Sequence, residues 1–263
     1  MTEAINPNRL PIFDSHAHYD DKAFSEDLIE AAFKMKQNGV IGVINCGVNY
    51  TSSMKCIELA EKEPMFYAAV GVHPEDLYGG QTLDREIMTQ LISNEKVVAI
   101  GEIGLDYHWD SFSHEEQIRW FMDQIDFAKE HDLPVIVHDR EAHNDTIQIL
   151  KQTKPKGVVL CFSGSLEMAK EVLKLGMYIG IGGVVTFKNA RKLVDVAEIL
   201  PLERLLLETD APYLAPEPFR GKRCTSDLIY FTADKIAEIK GVSTEKVVNA
   251  SLENTKALFT KIK

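Results

Sequence analysis

Two histidines one residue apart, His16 and His18, lie in "FDSHAHYD" at the end of the first clear apolar run of the chain. In an extended segment residues i and i+2 face the same side, so the two imidazoles project together and can share one cation. Two histidines in a turn, each bonded to nearby backbone, is the alternative for this pair alone. Residues of the same chemistry end later apolar runs: His73 in "VGVHP", Glu102 in "AIGEIGLD", His138 in "VIVHDR" and Asp210 in "LLLETDAP". An aspartate before Ala-Pro also serves as a helix cap or turn former. A glutamate inside an apolar run is harder to place, because burying an unpaired carboxylate is costly. Imidazoles and carboxylates without a thiolate suit zinc, manganese or nickel and do not exclude magnesium. Such an ion lowers the pKa of a water and stabilises charge on the oxygen under attack, which is the chemistry of hydrolysis.

The elements that must position these groups alternate with few interruptions. Short β-rich runs occur at "LPIFD", "VIGVINC", "FYAAVGV", "VVAIGEI", "LPVIVH", "GVVLCF", "MYIGIG" and "RLLLET", separated by stretches of helical period such as "EDLIEAAFKMKQNG", "EEQIRWFMDQIDFAKEHD" and "LEMAKEVLKLG". Strands alternating with helices imply βαβ units and a parallel sheet. Eight such runs predict a single-domain (β/α)8 TIM barrel over residues 1–263, ahead of a doubly wound open sheet, for which a GxGxxG turn is missing. Residues 224–260 read as extra C-terminal helices closing the barrel. In such a barrel the active site forms at the C-terminal ends of the strands. His16, His18, His73, Glu102, His138 and Asp210 then arrive from five strands at one rim, and a divalent-metal site is the better reading of the set.

Composition limits the partners. The chain has 263 residues, 45% of them hydrophobic and 26% charged, with a net charge of -11. A protein that holds long duplex DNA by non-specific phosphate contacts usually presents a basic surface, so here bound metal or a few local cations must do that work. The four cysteines, Cys46, Cys56, Cys161 and Cys224, show no CxxC pairing, as expected of reduced thiols in a cytosolic protein. "MTEAINPNRLPIF" lacks the basic and apolar blocks of a secretory signal, and no apolar run approaches the ~20 residues that span a bilayer. A cytoplasmic protein with no membrane and no obligate protein partner is expected.

The motifs "FDSHAH", "GVHP", "GEIGLDY", "LPVIVHDREA", "CFSGS", "GGVVTFKNA", "LLLETDAPYLAPEPFRGKR" and "ENTKALF" resemble, in order and over nearly the whole chain, the TatD-type metal-dependent deoxyribonucleases, relatives of the amidohydrolases with a (β/α)8 barrel. The resemblance implies that His16, His18 and Asp210 hold one metal, that Glu102 bridges, and that His138 binds a second. It implies that Asp210 or Glu102 orients or deprotonates the nucleophilic water, and that His73, Arg140, Arg220 and Lys222 contact substrate phosphates. Two departures stand out. Members of that family usually have a histidine before "CFSG" as a second-metal ligand, where this chain has Leu160; alternation should aim the adjacent Cys161 away from the pocket. The loop "RGKRNEP" usual in the family is replaced after Arg223 by Cys224, Thr225 and Ser226. Both bear on metal count and substrate range and leave the first site intact, so one tightly held ion and a second, weaker one are expected.

The function expected is hydrolysis of DNA, at single strands or 3' ends, by a metal-activated water. A metal-dependent deacylase or amidohydrolase, acting for instance on an aminoacyl-tRNA end, uses the same ligands. A binding protein without turnover is a third reading, motivated by Leu160 alone. His108, His114, His131 and His143 are expected to be solvated or locally bonded, with His108 near enough to line the rim, and the aromatic stripe of "EEQIRWFMDQIDFAKEHD" to be core packing.

Overall fold

The computed structural model describes residues 10–109 and 111–262; the start of the segment read for a secretory signal, residues 1–9, lies outside them. Every one of the eight apolar runs forms a strand: β1 Ile12–Ala17, β2 Val40–Cys46, β3 Phe66–Val70, β4 Val97–Asp106, β5 Val135–Arg140, β6 Gly157–Val159, β7 Tyr178–Ile181 and β8 Leu205–Leu207. They pair in parallel in sequence order. Closure comes just past β8, where Ala17 bridges Ala211, the Asp210 N–H donates to the His16 carbonyl at 3.0 Å and the His18 N–H donates to the Ala211 carbonyl at 2.7 Å. The result is a (β/α)8 TIM barrel. Between the strands run α1 Leu28–Gln37, α2 Tyr50–Lys62, α3 Arg85–Ile92, α4 His114–Glu130, α5 His143–Thr153, α6 Leu166–Lys174 and α7 Arg191–Ile199, followed by α8 Ile229–Lys240 and α9 Thr244–Leu258.

Burial on both faces explains why the strands read as nearly continuous apolar runs. One set of side chains packs outward against the helices, and the alternate set fills the barrel: Ile44 and Cys46 of β2, Ile136 of β5, Val158 and then Leu160, and Leu206 of β8 share a cluster with Leu258, Phe259 and Ile262 from the end of α9. The stripe on α4 is core, with Trp120, Phe121, Ile125 and Phe127 each at most 1% exposed. Helix starts follow side-chain caps: Asn49 accepts from the Ser52 N–H, Asp84 from Glu86 and Ile87, Ser113 from Glu116 and Ser165 from Met168. Among the described residues no helix is long and apolar enough to cross a membrane.

Strand four is longer than its apolar run indicates, reaching Asp106 rather than stopping near Glu102. Gly104 makes this possible: at φ +149° it lies against the His138 carbonyl, where a Cβ would collide. The extension pairs Gly104, Leu105 and Asp106 with His138, Asp139 and Arg140. Register shifts interrupt β1 between Asp14 and Ala17, and β4 between Ile100 and Ile103. Such irregularities re-aim side chains, and these two fall at His16 and at Glu102.

Candidate metal centre

Four side chains converge on one point at the C-terminal mouth. The His16 and His18 Nε2 atoms are 3.2 Å apart. His16 Nε2 lies 3.2 Å from Asp210 Oδ1 and 3.5 Å from Glu102 Oε2, and His18 Nε2 lies 3.5 Å and 3.3 Å from the same two oxygens. Metal–ligand bonds of 2.0–2.2 Å in a tetrahedron require ligand separations of about 3.3–3.6 Å, and the five distances lie close to that range; the ligand atoms of His16, His18 and Glu102 all fall within 4.8 Å of one another, and Asp210 adjoins this group through the two imidazoles. The distal nitrogens support this. His16 Nδ1 faces Cys46 Sγ at 3.1 Å, and His18 Nδ1 donates to the Cys46 carbonyl at 2.9 Å. With protons on Nδ1, both Nε2 lone pairs point at the common centre.

A second group adjoins the first through Glu102, whose other oxygen faces away from His16. Glu102 Oε1 lies 2.9 Å from His138 Nδ1 and 3.7 Å from His73 Nε2. The ligand atoms of His73, Glu102 and His138 all lie within 4.8 Å of one another. Asp106 completes the arrangement, accepting from His138 Nε2 at 2.9 Å, so that Nδ1 is the ring nitrogen left for a ligand. The carboxylate is itself fixed, its Oδ1 accepting from the N–H groups of His108 at 2.9 Å and Trp109 at 3.3 Å.

The electrostatics follow from packing three carboxylates among four imidazoles. Burial pushes Glu102 up, but His16, His138 and His18 together outweigh it and hold Glu102 well below the usual carboxylate range. Burial pushes His138 down, and its bonds to Asp106 and Glu102 overcome this and take it up to about 10. His73 goes the other way, down to about 3, from burial and then the neighbouring charge of His138. Burial and geometry fit a divalent ion at either of two groups, His16, His18 and Glu102 with Asp210 adjoining them, and His73, Glu102 and His138.

Of the residues expected from sequence, His16, His18, Glu102, His138 and Asp210 come together as described. His73 belongs with them: it follows β3 by three residues, is 8% exposed, and packs its ring 4.4 Å from that of His138. Its ring nitrogen lies within the second candidate group, apart from the exposed Arg140, Arg220 and Lys222. Arg140, Arg220 and Lys222 are exposed, set over the rings of Trp109, Phe187 and Phe219 at 5.6, 4.1 and 5.8 Å. Leu160 is 4% exposed and packs inside the barrel, continuing the inward series from Val158.

The expectation for Cys161 does not hold. Strand β6 ends at Val159, and Cys161 adopts φ +40°, a left-handed conformation to which strand alternation does not apply. The thiol is turned toward the acids of the mouth: burial pushes it well above the ordinary thiol range, and the charges of Glu208, Asp210 and Glu102 push it further. The other four histidines have local partners. His108 bonds Glu141 at 2.8 Å, His131 the Phe127 carbonyl at 2.8 Å and His143 Asp139 at 2.6 Å, while His114 stacks on Tyr107 at 3.5 Å.

Three acids escaped the sequence reading. Asp106 was hidden by the unrecognised length of β4. Asp14, two residues before His16, accepts from the N–H groups of His16 and Thr209 at 3.2 and 3.0 Å and from the Thr209 and Ser226 hydroxyls at 2.6 Å each. It ties the first strand to the segment carrying Asp210; burial pushes it up to about 6. Glu208, next inward residue after Leu206, accepts from the Cys161 N–H, its carboxyl against Gly180 where a Cβ would collide with it. Its Oε2 is buried without a partner, and burial pushes its carboxyl up to about 8. The "ETD" spacing was the available signal, since Glu208 and Asp210 both follow the inward-facing Leu206.

Comparison with known proteins covers nearly the whole molecule. Residues 13–260 match the family model described as TatD related DNase. The chain is 40% identical over 251 residues to the uncharacterized metal-dependent hydrolase YabD of Bacillus subtilis, covering 94% of this chain and 98% of YabD. It is 35% identical over 254 residues to the uncharacterized metal-dependent hydrolase YcfH of Escherichia coli, with 94% and 95% covered. Among solved structures, YjjV, a TatD homologue from Escherichia coli, superposes with a TM-score of 0.88 at 34% identity, over 95% of this chain and 98% of that one.

Proposed function

Since the chain belongs to the family of TatD-related DNases, which are metal-dependent hydrolases, we propose that it is a phosphodiesterase that cleaves DNA, at single strands or 3' ends. The observation that carries the reading is the convergence of His16, His18, Glu102 and Asp210 at separations of 3.2–3.5 Å, beside a second group that shares Glu102. When bound there, a divalent ion (zinc, manganese, magnesium or nickel) supplies Lewis acidity and a water of lowered pKa. His16, His18 and Asp210 would hold the first ion, His138 with His73 would hold the second, and Glu102 belongs to both groups.

The two carboxylates divide the remaining work. Glu102 engages imidazoles through both oxygens, which suits a bridging role. Asp210 meets the histidines through Oδ1, and its side chain is 20% exposed, so its other oxygen faces the mouth and can take the proton of the attacking water. Arg140, Arg220 and Lys222 are the cations available to the substrate phosphates; their exposure suits contacts outside the scissile group. The net charge of -11 favours single strands over long duplexes, which rely on a basic surface. The same reading places the enzyme in the cytoplasm, where its four free thiols stay reduced.

The test is a substrate panel: end-labelled single-stranded DNA, duplex DNA and an aminoacyl ester, each with magnesium, manganese, cobalt, nickel or zinc. Release of nucleotides from the single strand, abolished by a chelator, is expected. Hydrolysis of the ester alone would overturn the phosphodiesterase assignment and leave the metal centre standing.

A further inference from the structure

Only two tryptophans occur in the chain, and they differ sharply. Trp120 is 1% exposed in the core, whereas Trp109 is 49% exposed. Trp109 follows β4 by three residues, and its N–H donates to Asp106 Oδ1, the carboxylate whose other oxygen accepts from His138 Nε2. One side chain thus links the backbone of Trp109 to the candidate metal centre. The indole is held from the β5 side: the Arg140 guanidinium, two residues past His138, lies 5.6 Å from the ring centroid. His108, itself bonded to Glu141, packs edge-on at 4.8 Å and 88°. A large apolar ring is therefore fixed in orientation and left half open to solvent beside the reacting centre. Nothing in the core packing requires this.

We propose that Trp109, backed by Arg140, is the platform on which a nucleobase beside the scissile phosphodiester stacks; this rests on the phosphodiesterase reading above. The charge of the protein supplies the argument for stacking. At a net charge of -11 the overall field repels a polyanion, so contacts that do not depend on that field are the ones that can add affinity. Base–aromatic stacking does this, strengthening binding by about fivefold to 150-fold per base, and it tolerates any sequence because every base has a π-face. It also requires an unstacked base, which a single strand presents and a duplex does not. Arg140 adds a guanidinium over one face of the ring, leaving the other face for the base and a positive charge for its phosphate. Across the mouth Tyr213 is 53% exposed and anchored through its N–H to the Asp210 carbonyl at 2.7 Å and its hydroxyl to Asp21 at 3.0 Å. A strand running from Trp109 toward Tyr213 therefore passes the ligand cluster between them.

The experiment uses the metal-loaded protein and a single-stranded oligothymidylate with phosphorothioate linkages, which resist cleavage. An abasic oligomer of the same length serves as the comparison. Trp120 is shielded, so quenching of tryptophan emission reports Trp109. Quenching by the thymidylate and not by the abasic oligomer is expected in the wild type; in anisotropy titrations of an end-labelled oligomer, which do not need the indole, thymidylate should bind Trp109→Ala about tenfold more weakly, with recovery in Trp109→Phe. Removing the bases should weaken binding by the wild type and make little difference to Trp109→Ala. Equal Kd values for the two oligomers in the wild type, or a Kd that Trp109→Ala does not change, would overturn the platform. Turnover on an ordinary oligonucleotide separates this from the underlying reading. Cleavage without base–indole coupling sinks the platform alone, while base-dependent binding without cleavage supports the platform and sinks the phosphodiesterase assignment.

Discussion

Asp106→Asn isolates one hydrogen bond of the candidate centre. The asparagine keeps the size of the side chain and retains an oxygen for the His108 and Trp109 N–H groups, so the β4–α4 loop should keep its shape. At the position of Oδ2, however, an amide –NH2 replaces an acceptor and faces His138 Nε2 across 2.9 Å. Two donors cannot share that contact. The imidazole responds by placing its proton on Nδ1, the atom 2.9 Å from Glu102 Oε1, and the lone pair meant for an ion is lost. Changes in groups that orient a metal-bound histidine typically cost 10–100-fold in metal affinity or activity, or about 1.4–2.7 kcal/mol. Because His138 is the one candidate ligand that Asp106 contacts directly, the loss should fall on the ion shared with His73, leaving the ion on His16, His18 and Asp210 within about twofold of its normal affinity. Titration of the metal-free protein against a competing chelator, with elemental analysis of the retained metal, separates the two ions. Equal affinities for both ions in Asp106→Asn and wild type would refute the idea that this carboxylate sets the His138 tautomer.

His16→Ala or Asp210→Ala should abolish hydrolysis at any metal concentration while circular dichroism stays near normal; near-wild-type turnover with added metal would mean that the site is misassigned. Leu160→His should add an imidazole on the inward-facing series after Val158 and raise the tightly held metal from about one ion per chain toward two. Two tightly held ions in the unmodified protein, counted after dialysis, would show that His73 already suffices. Metal uptake should also be coupled to protons. His138 is held up to about 10 by Asp106 and Glu102 against the effect of burial, so it is charged at pH 7 and must lose its proton to become a ligand. Affinity for the second ion therefore falls as pH falls below 10, by up to about tenfold per unit for each proton displaced. Calorimetry at pH 7 in buffers of different ionisation enthalpy should show about one proton released per second ion, and heats independent of the buffer would contradict the linkage.

How much of this was legible in the sequence depends on whether a residue lies on a regular strand. All eight apolar runs became strands, and His138 could be placed by counting, because Ile136 and His138 alternate on β5 without interruption. His16 and His18 converge as the two-residue spacing implies, though a register shift in β1 contributes to the aim. Where regular pairing stops, the rules for reading it stop as well. Cys161 was expected to point away because alternation was extended two residues past the end of β6, into a residue at φ +40°. Glu102 stands near the end of the apolar run "VVAIGEI", which suggests a strand stopping there, whereas Gly104 lets β4 continue against β5. Asp106 was hidden by the same misjudged boundary. His73 lies in a loop after β3, and no periodicity tells how far a loop folds back over a barrel mouth.

The replacement of an expected ligand by Leu160 makes better physical sense with its neighbours in view. Leu160 joins Ile136, Val158 and Leu206 in the barrel interior, so the change deepens the apolar core up to the level of the site. Beside it Glu208 has a buried Oε2 without a partner and a carboxyl pushed up to about 8, a group that is largely neutral at pH 7 and adds little negative charge. Those two features together make the neighbourhood of Leu160 a weak place for a cation, unlike that of Asp210, which burial pushes up but His16 and His18 hold ionised. On the β3–β5 side the situation is reversed. Glu102 is held strongly ionised, His138 is oriented by Asp106, and His73 is buried and neutral within 3.7 Å of the Glu102 carboxylate. A second ion would therefore be held from the β3–β5 side, by His73, Glu102 and His138, and the carboxylate that orients His138 is the one that accepts from the Trp109 N–H. Loss of the imidazole at position 160 would then leave the residues beside the proposed aromatic platform as the better ligands for that ion.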